Sequence, residues 1–248
     1  MRARKVQELN IIQSVNHAID IIEFMYQCGR EVSISEIKAG TGMAGSTIHR
    51  QLITLKARGY IYQNPENLKY WLGLRFYAVG NSVQHNIPIV NILAPYIDAF
   101  ARKYGLTAYI TLPDYSSDLC AQQAIIYRKS FSSVISRNEV PVGTVMVAHG
   151  SASGKCMMAY YPDALINQYS AYPLLKMTQK TITDWDALKL ELASIRSRGY
   201  ALDSEEEEEG QTCLAVPVLD SFHHIVASIS TSGQTKAVFD NPDRKSVV

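Results

Sequence analysis

The chain contains 248 residues with a net charge of +1, of which 47% are hydrophobic and 19% are charged. This composition is typical of a globular protein and excludes an intrinsically disordered one. The four cysteines are far apart and form no C-x-x-C pair. Without a signal-peptide pattern or a long apolar stretch, we expect a reduced, cytoplasmic protein with no membrane span and no cysteine-bound metal.

Basic residues are concentrated in the first third of the chain. Residues 1–80 contain ten Lys and Arg against six Asp and Glu, whereas residues 81–248 contain fourteen against seventeen. A positive first part joined to a mildly negative remainder favours a polyanionic partner, such as DNA, for the first part.

Three helices are predicted within the first 60 residues. The first is expected to be capped by Ser14 and ended by Gly29. The second opens with the capping-box sequence Ser33–Glu36 and ends at Gly40, and the third spans Ser46–Arg58. The apolar side chains expected to face inward are Val15, Ala18, Ile19, Ile22 and Met25 in the first helix, and Ile48, Leu52 and Leu55 in the third.

A β-hairpin is predicted after these helices. Two alternating stretches, Tyr60–Tyr62 and Lys69–Leu72, flank the turn-forming sequence Asn64–Asn67. Three short helices followed by a hairpin in a basic segment are typical of a winged helix-turn-helix, whose third helix enters the major groove of DNA. The alternative is a small helical unit that docks onto an acidic protein partner.

The remainder of the chain is predicted to be a mixed sheet and helix domain. A linker helix is expected first, and Pro95 is expected to kink or restart it. The order of the later elements favours an α+β sheet domain over a regular βαβ repeat. Strands are predicted at Leu106–Leu112, Ala121–Tyr127, Leu214–Leu219 and Ile225–Thr231, and helices at Ser151–Tyr161 and from Asp184 to Gly199.

Several short motifs occur in a specific order along the chain. They are Ser46–Leu52, Gly59-Tyr60, Tyr70–Gly73, His149–Lys155, Ile195–Ala201 and Gly210–Val218. With this order and spacing, nearly the whole chain resembles the IclR (isocitrate lyase regulator) family of bacterial transcription regulators.

The resemblance implies an α+β fold with three parts: a winged helix-turn-helix domain over residues 1–73, a linker helix over 74–94, and a GAF/PAS-like antiparallel-sheet effector domain over 95–248. It implies dimers that pair into tetramers on operator DNA, a small organic acid as effector, and no cofactor. The expected function is regulation of transcription, most often repression of a catabolic operon, with activation as the alternative. Family sequences continue with a further helix, so the C-terminal helix is expected to be cut short.

DNA contacts are expected from the start of the third helix and from the wing. Hydroxyl groups there can bind phosphates, Arg can bind guanine with two hydrogen bonds, and Gln can bind adenine in the same way. Near the N-terminus, Arg2, Arg4 and Lys5 either follow the phosphate backbone or form a solvated tail. The candidate DNA-binding residues are Ser46, Thr47, His49, Arg50, Gln51 and Lys69.

The effector pocket is expected beside the small-residue segment Ser151–Gly154, which supplies backbone N–H groups for a carboxylate at a helix start. Within the pocket, Cys213 is expected to form a wall, and Asp203 to bind a ligand hydroxyl or orient a neighbour. For the strand serines the alternative is an ordinary strand that exposes hydroxyls. The resemblance places the pocket at Ala152, Ser153, Asp203, Gln211, Cys213, Ser230 and Ser232.

Three other motifs are given structural roles. The segment Gly150–Cys156 lacks the spacing and the Ser or Thr of a phosphate-binding P-loop. The run Glu205–Glu209 is expected to be a solvated acidic loop rather than a metal site, because it lacks the pattern of an EF-hand. His223-His224 is expected to be a polar surface turn rather than a zinc site.

An enzyme is the alternative from a different functional class. Cys213 or Ser153 would then be the nucleophile and His149 the base. Neither a G-x-S-x-G elbow nor a cysteine-protease signature is present. We therefore expect a regulator rather than an enzyme.

Overall fold

A computed structural model describes residues 12–114, 122–130 and 140–235. The predictions for Arg2, Arg4, Lys5 and the C-terminal helix lie outside these residues. The chain divides into two compact units, residues 1–86 and 87–248. In chain order, the first unit contains α1 (Gln13–Cys28), α2 (Ile34–Thr41), α3 (Gly45–Ala57), β1 (Ile61–Gln63), β2 (Tyr70–Leu72) and α4 (Arg75–His85).

The first helix differs from its prediction at its start and on its buried face. It begins at Gln13, so Ser14 lies inside the first turn and is not the cap. Ile21 and Met25 are fully buried, whereas Val15 and Ile19 are 54% and 44% exposed. The core thus contacts the second half of the helix, and the apolar stripe continues onto an exposed surface in the first half.

The second helix begins with the predicted capping box. The Ser33 hydroxyl accepts a hydrogen bond from the Glu36 N–H, and the Glu36 carboxylate accepts one from the Ser33 N–H at 2.8 Å. These two bonds satisfy backbone donors that a helix start leaves without intrahelical acceptors. The capping box therefore fixes the residue at which α2 begins. In α3, Ile48 and Leu52 are buried as predicted.

The hairpin of the first unit is antiparallel, with Tyr62 opposite Trp71. Its turn is anchored to the helical core by Glu31. The carboxylate of Glu31 accepts hydrogen bonds from the side-chain amides of Asn64 at 3.0 Å and Asn67 at 2.8 Å. The wing is therefore held at its tip as well as by its strand pairing.

The second unit begins with a long helix. It contains α5 (Pro88–Tyr104), β3 (Thr107–Asp114), β4 (Gln122–Ser130), β5 (Val145–Val147), α6 (Ala152–Met158), α7 (Asp163–Tyr169), α8 (Trp185–Arg198), β6 (Ala201–Ser204), β7 (Gln211–Leu219) and β8 (Ile225–Gln234). Pro95 lies inside α5 and does not interrupt it. The segment expected to be one linker helix contains the whole of α4 and the first half of α5.

A six-stranded sheet organises the second unit, in the order β5-β4-β3-β8-β7-β6 with every neighbouring pair antiparallel. Helix α5 packs on one face of the sheet and forms a hydrophobic core there with Ala108, Ile110 and Ile229 of the strands. Helices α6 and α8 contribute to a core on the other face, with Ala201 and Ala215 of the strands. Successive strand residues point to opposite faces, so one strand serves both cores.

The predicted fold class is confirmed: a winged helix-turn-helix precedes a domain built on an antiparallel sheet with helices. Helix α8 begins within the predicted start sequence, and Asp184 caps it, with its side chain accepting from the Ala187 N–H at 2.9 Å. Among the described helices, none has both the length and the apolar character required to cross a bilayer.

Candidate DNA interface and effector site

Arg50 is presented on the outer side of α3. It lies midway between the buried residues Ile48 and Leu52, so at 3.6 residues per turn its side chain leaves the helix on the side opposite the core. Ser46 and His49 are also exposed, whereas Thr47 and Gln51 are half-buried. The six candidate DNA contacts therefore do not form one equally accessible set.

The half-buried candidates face a groove between α1 and α3. Seven of its nine lining residues have polar side chains that can donate or accept hydrogen bonds at a charged surface. The lining residues are Gln13, Ser14, Val15, His17, Ala18, Thr47, Arg50, Gln51 and Thr54. The part that α1 plays in this groove was not predicted from the sequence. Its signal is a run of polar residues, Gln13, Ser14 and His17, at the start of an otherwise apolar helix.

The two helix starts in this part of the molecule carry no side-chain caps. Neither Ile12, before α1, nor Ala44, before α3, caps its helix, and neither helix has an acidic residue in its first turn. In contrast, α2 is capped by Ser33 and α8 by Asp184. Uncapped N–H groups and the positive end of the helix dipole favour bound phosphate.

The wing contributes Lys69, which is half-buried. Its backbone N–H donates to the side-chain oxygen of Asn67 at 2.8 Å, which fixes the residue at the end of the turn. Lys56 of α3 donates to Gln63 of β1 at 2.8 Å and so joins the third helix to the wing. Two basic residues thus lie where helix and hairpin meet.

In the second unit, three of the predicted effector residues form a row across the sheet. Cys213 pairs with Asp203 on one side and with Ser232 on the other. Directly opposed residues point to the same face, and residues two apart in a strand do so too. Ser230 and Gln211 therefore share this face with the row, and we call these five residues the effector row.

The start of α6 packs on the same face and is more closed than predicted. The Ser151 hydroxyl accepts from the Gly154 N–H at 3.1 Å, so this donor is not free for a ligand. A Cβ on Gly154 would lie 2.0 Å from the Ala148 carbonyl oxygen. Ala152 and Ser153 are buried, and they remain the residues whose N–H groups have no intrahelical acceptor.

Hydroxyl side chains extend the effector row along β3 and β8. Tyr109 and Thr111 of β3 pair with Ser230 and Ser228 of β8, and all four are buried. Among the described residues, the Thr111 and Ser228 hydroxyls are buried without a hydrogen-bond partner. Tyr109, Thr111 and Ser228 were not predicted from the sequence. The available signal was the alternation of hydroxyl residues at every second position of both strands.

The acidic run beside the effector row is not a wholly solvated loop, and that prediction is wrong at Glu206. Its Oε1 accepts from Nζ of Lys155, which is itself fully buried, and Nζ also donates to the Leu202 carbonyl at 2.9 Å. Glu205 does behave as predicted, in an exposed pair with Lys180 at 3.0 Å. The partner of Glu206 lies 51 residues earlier, so its burial depends on tertiary structure.

The carboxylates near the effector row hold their protons more tightly than usual. Burial raises the pKa of Asp203 to about 6, although the N–H donated by Glu206 at 2.6 Å acts in the opposite direction. Burial and the charges of Asp203 and Glu208 raise the pKa of Glu207 to about 7. The carboxyl groups of Asp203 and Glu207 are therefore partly protonated close to neutral pH.

The Cys213 thiol and the His149 ring, proposed as nucleophile and base of an enzyme, are not activated. Burial raises the pKa of the Cys213 thiol well above its usual range and that of Cys156 to about 12. The His149 ring is engaged with the Leu175 carbonyl at 2.8 Å, and burial lowers its pKa. Asp203 beside Cys213 also raises the pKa of this thiol, and a thiol held in its neutral form is a poor nucleophile. Across the described ranges, His, Cys, Asp and Glu form no cluster of three suited to a metal ion.

Both units of the chain are similar to known protein families. The chain matches the model of the IclR helix-turn-helix domain over residues 14–65 and that of the bacterial transcriptional regulator IclR C-terminal domain over residues 81–248. The HTH-type transcriptional regulator XynR of Escherichia coli (strain K12) is 32% identical over 231 residues, covering 93% of this chain and 89% of the relative. The transcriptional repressor IclR of the same organism is 27% identical and covers 93% and 83%.

Solved structures share the fold. An IclR transcriptional regulator from Alicyclobacillus acidocaldarius has a TM-score of 0.81 at 22% identity, covering 95% of this chain and 92% of that one. An IclR homolog from Microbacterium hydrocarbonoxydans, in complex with 4-hydroxybenzoate, has a TM-score of 0.79 at 18% identity, covering 94% and 93%. At such identities the likeness shows the fold and not the ligand.

Proposed function

The chain belongs to the IclR family of bacterial transcriptional regulators, and on this premise we propose that it represses a catabolic operon in the cytoplasm, as dimers that pair into tetramers on the operator. The first unit binds the DNA and the second binds a small organic acid that changes operator affinity. Relatives named as repressors support the sign of regulation. No catalytic step is assigned, because the thiols and His149 are held in unreactive states.

The observation that carries DNA binding is the outer face of α3 with its flanking helix starts. Arg50 is an exposed cation at the centre of this face, and neither Ile12 before α1 nor Ala44 before α3 supplies a side-chain cap. In the proposed interface Arg50 contacts a base edge or a phosphate, Ser46 and His49 extend this contact, and Lys69 binds an adjacent phosphate. Thr47 and Gln51 contribute through the groove.

The effector row supports a ligand that has hydroxyl as well as carboxylate groups. Asp203 repels a carboxylate when ionised, so a hydroxyl of the ligand is placed beside it and the carboxylate toward Ala152 and Ser153. Ser230 and Ser232 supply further hydrogen bonds. These positions within the effector row support a small hydroxy acid as the effector class.

DNA binding is tested by fluorescence anisotropy with the DNA that flanks the gene for this chain. We expect the affinity to fall steeply as salt rises, because cationic contacts to phosphates release counterions. Arg50→Ala is expected to weaken binding by about tenfold or more, in line with about 1–3 kcal/mol for a good base contact. The matched control is Lys189→Ala, an exposed lysine in the second unit. Equal affinities for both variants would overturn the assignment of α3.

Effector binding is tested by thermal shift with a panel of small carboxylic and hydroxycarboxylic acids. A ligand at 100 times its Kd stabilises the folded state by about 2.7 kcal/mol. We expect hydroxy acids to give the largest shift and Ser230→Ala to reduce it. Ser221→Ala, in an exposed turn, is the matched control. A shift unaffected by Ser230→Ala would place the acid elsewhere.

A further inference from the structure

A cavity lies among α6, α7, α8 and the segment 172–175, and none of its lining residues belongs to the effector row. Its volume is about 70 Å³ and its walls are mainly apolar and aromatic. Its lining includes His149, Met158, Tyr172, Leu174, Leu175 and Trp185. We propose that this cavity is a separate ligand site for a small uncharged alcohol, a molecule with one hydroxyl on a short apolar body.

The size of the cavity limits the ligand. One water molecule requires about 10–15 Å³ of such volume, so 70 Å³ accommodates about five non-hydrogen atoms. A cavity of about 150 Å³ binds benzene. The cavity in this chain has about half that volume, so it suits a branched alcohol of about four carbons rather than an aromatic ring.

The polarity of the walls selects an uncharged hydrogen-bond donor. None of the lining residues carries a full charge at neutral pH, because burial lowers the pKa of His149 and keeps its ring neutral. The indole N–H of Trp185 already donates to the Tyr172 carbonyl at 2.7 Å. A charged ligand would enter without a counterion, which is costly in an apolar site.

His149 supplies the acceptor. Its Nε2 lies 2.8 Å from the Leu175 carbonyl oxygen. A carbonyl can only accept, so Nε2 carries the proton and Nδ1 is left with a lone pair. No hydrogen bond to Nδ1 is formed within the described part of the chain. A ligand hydroxyl that donates to Nδ1 completes the ring's hydrogen bonding, while its carbons contact Met158, Leu174 and Trp185.

The test uses the full chain labelled with 5-fluorotryptophan and observed by ¹⁹F NMR. The sequence contains two tryptophans: Trp185 lines the cavity, and Trp71 in the wing is an internal reference. The probe is 2-methylpropan-1-ol. Its control is isopropyl methyl ether, which has the same number of non-hydrogen atoms and cannot donate. We expect the alcohol to shift the Trp185 signal to saturation without moving Trp71, and to bind about fivefold more tightly than the ether.

A variant tests the acceptor directly. His149→Gln retains an amide donor for the Leu175 carbonyl and removes the ring Nδ1, so we expect about fivefold weaker alcohol binding and unchanged ether binding. The proposal is overturned if both tryptophan signals move in proportion to alcohol without saturation, or if alcohol and ether bind equally. Should the variant fail to fold, the two ligands on the unaltered protein still decide the question. The outcome is independent of DNA and acid binding.

Discussion

Replacing Lys155 by methionine is expected to destabilise the second unit strongly. Methionine is similar in length and apolar, so the substitution removes the ammonium group while largely retaining the packing. Lys155 is 1% exposed, and its Nζ donates both to Glu206 and to the Leu202 carbonyl. Without it, the Glu206 carboxylate is left buried and without a counter-charge.

The magnitude follows from the burial of both partners. The side chains of Lys155 and Glu206 are 1% and 11% exposed, so solvent screens the pair only weakly. Removing one partner of such a pair costs about 3–5 kcal/mol, against a total stability of about 5–15 kcal/mol for a typical domain. Replacing both partners with apolar residues is often neutral. We therefore expect Lys155→Met combined with Glu206→Leu to recover most of the loss.

The assay is urea unfolding followed at the ¹⁹F signal of Trp185, which lies in the same unit. Lys180→Met is the matched control, because Lys180 pairs with Glu205 at 3.0 Å on the surface and its side chain is 57% exposed. This control is expected to cost less than about 1 kcal/mol. A loss below about 1 kcal/mol for Lys155→Met would refute the inference of a dry, structurally important ion pair.

Three further predictions follow from individual positions. Gly154→Ala places a Cβ 2.0 Å from a backbone oxygen, so we expect the free energy of unfolding to fall by more than about 3 kcal/mol, or the variant not to fold. Gly80→Ala, in open space within α4, should instead raise the free energy of unfolding by about 0.5–1 kcal/mol. Both effects are measured from urea midpoints. The pKa of Asp203 is raised to about 6, so the native state holds this proton more tightly than the unfolded chain, and stability should fall as pH rises from about 4 through about 6. Asp203→Asn should reduce this loss of stability by up to about 3 kcal/mol, measured by urea unfolding at several pH values across this range. A variant whose stability depends on pH as the unaltered protein does would contradict the prediction. Iodoacetamide at pH 8, followed by peptide mass mapping, should modify half-buried Cys28 much faster than fully buried Cys156, because burial raises the pKa of the Cys156 thiol to about 12.

Local signals in the sequence predicted the elements well where side chain and backbone interact within a few residues. Ser33 and Glu36 cap α2, and Asp184 caps α8, because each bond spans only three residues. The inward faces of α3 and α8 follow from helical spacing alone, since both helices bury one continuous stripe.

Features that depend on distant partners were not predictable in the same way. Val15 and Ile19 continue the apolar spacing of α1 but are exposed, because the core covers only the second half of that helix. Glu206 belongs to a run of five carboxylates that indicates solvation, and only its tertiary contact with Lys155 buries it. The short strand β6 has no turn-bounded pattern of its own and forms by pairing with β7.

The effector row was located by family resemblance rather than by spacing. Strand register then brings Asp203, Cys213 and Ser232 together from three strands. Alternating hydroxyls mark Thr111 and Ser228 as part of the same face, but in a single sequence this pattern is also that of a half-exposed strand. Only the burial of these hydroxyls in the folded domain distinguishes a strand that lines the effector row from a half-exposed strand.

The central claim is that acid binding in the second unit alters DNA binding by the first. Its most direct test is operator affinity of the full chain, measured by anisotropy at constant salt, with and without the hydroxy acid that gives the largest thermal shift. A coupling of about 1–3 kcal/mol predicts a change of about 5–150-fold in the Kd for DNA. The same change in reverse is predicted for acid affinity when DNA is present. An acid that binds the protein and leaves the DNA Kd unchanged would contradict the account.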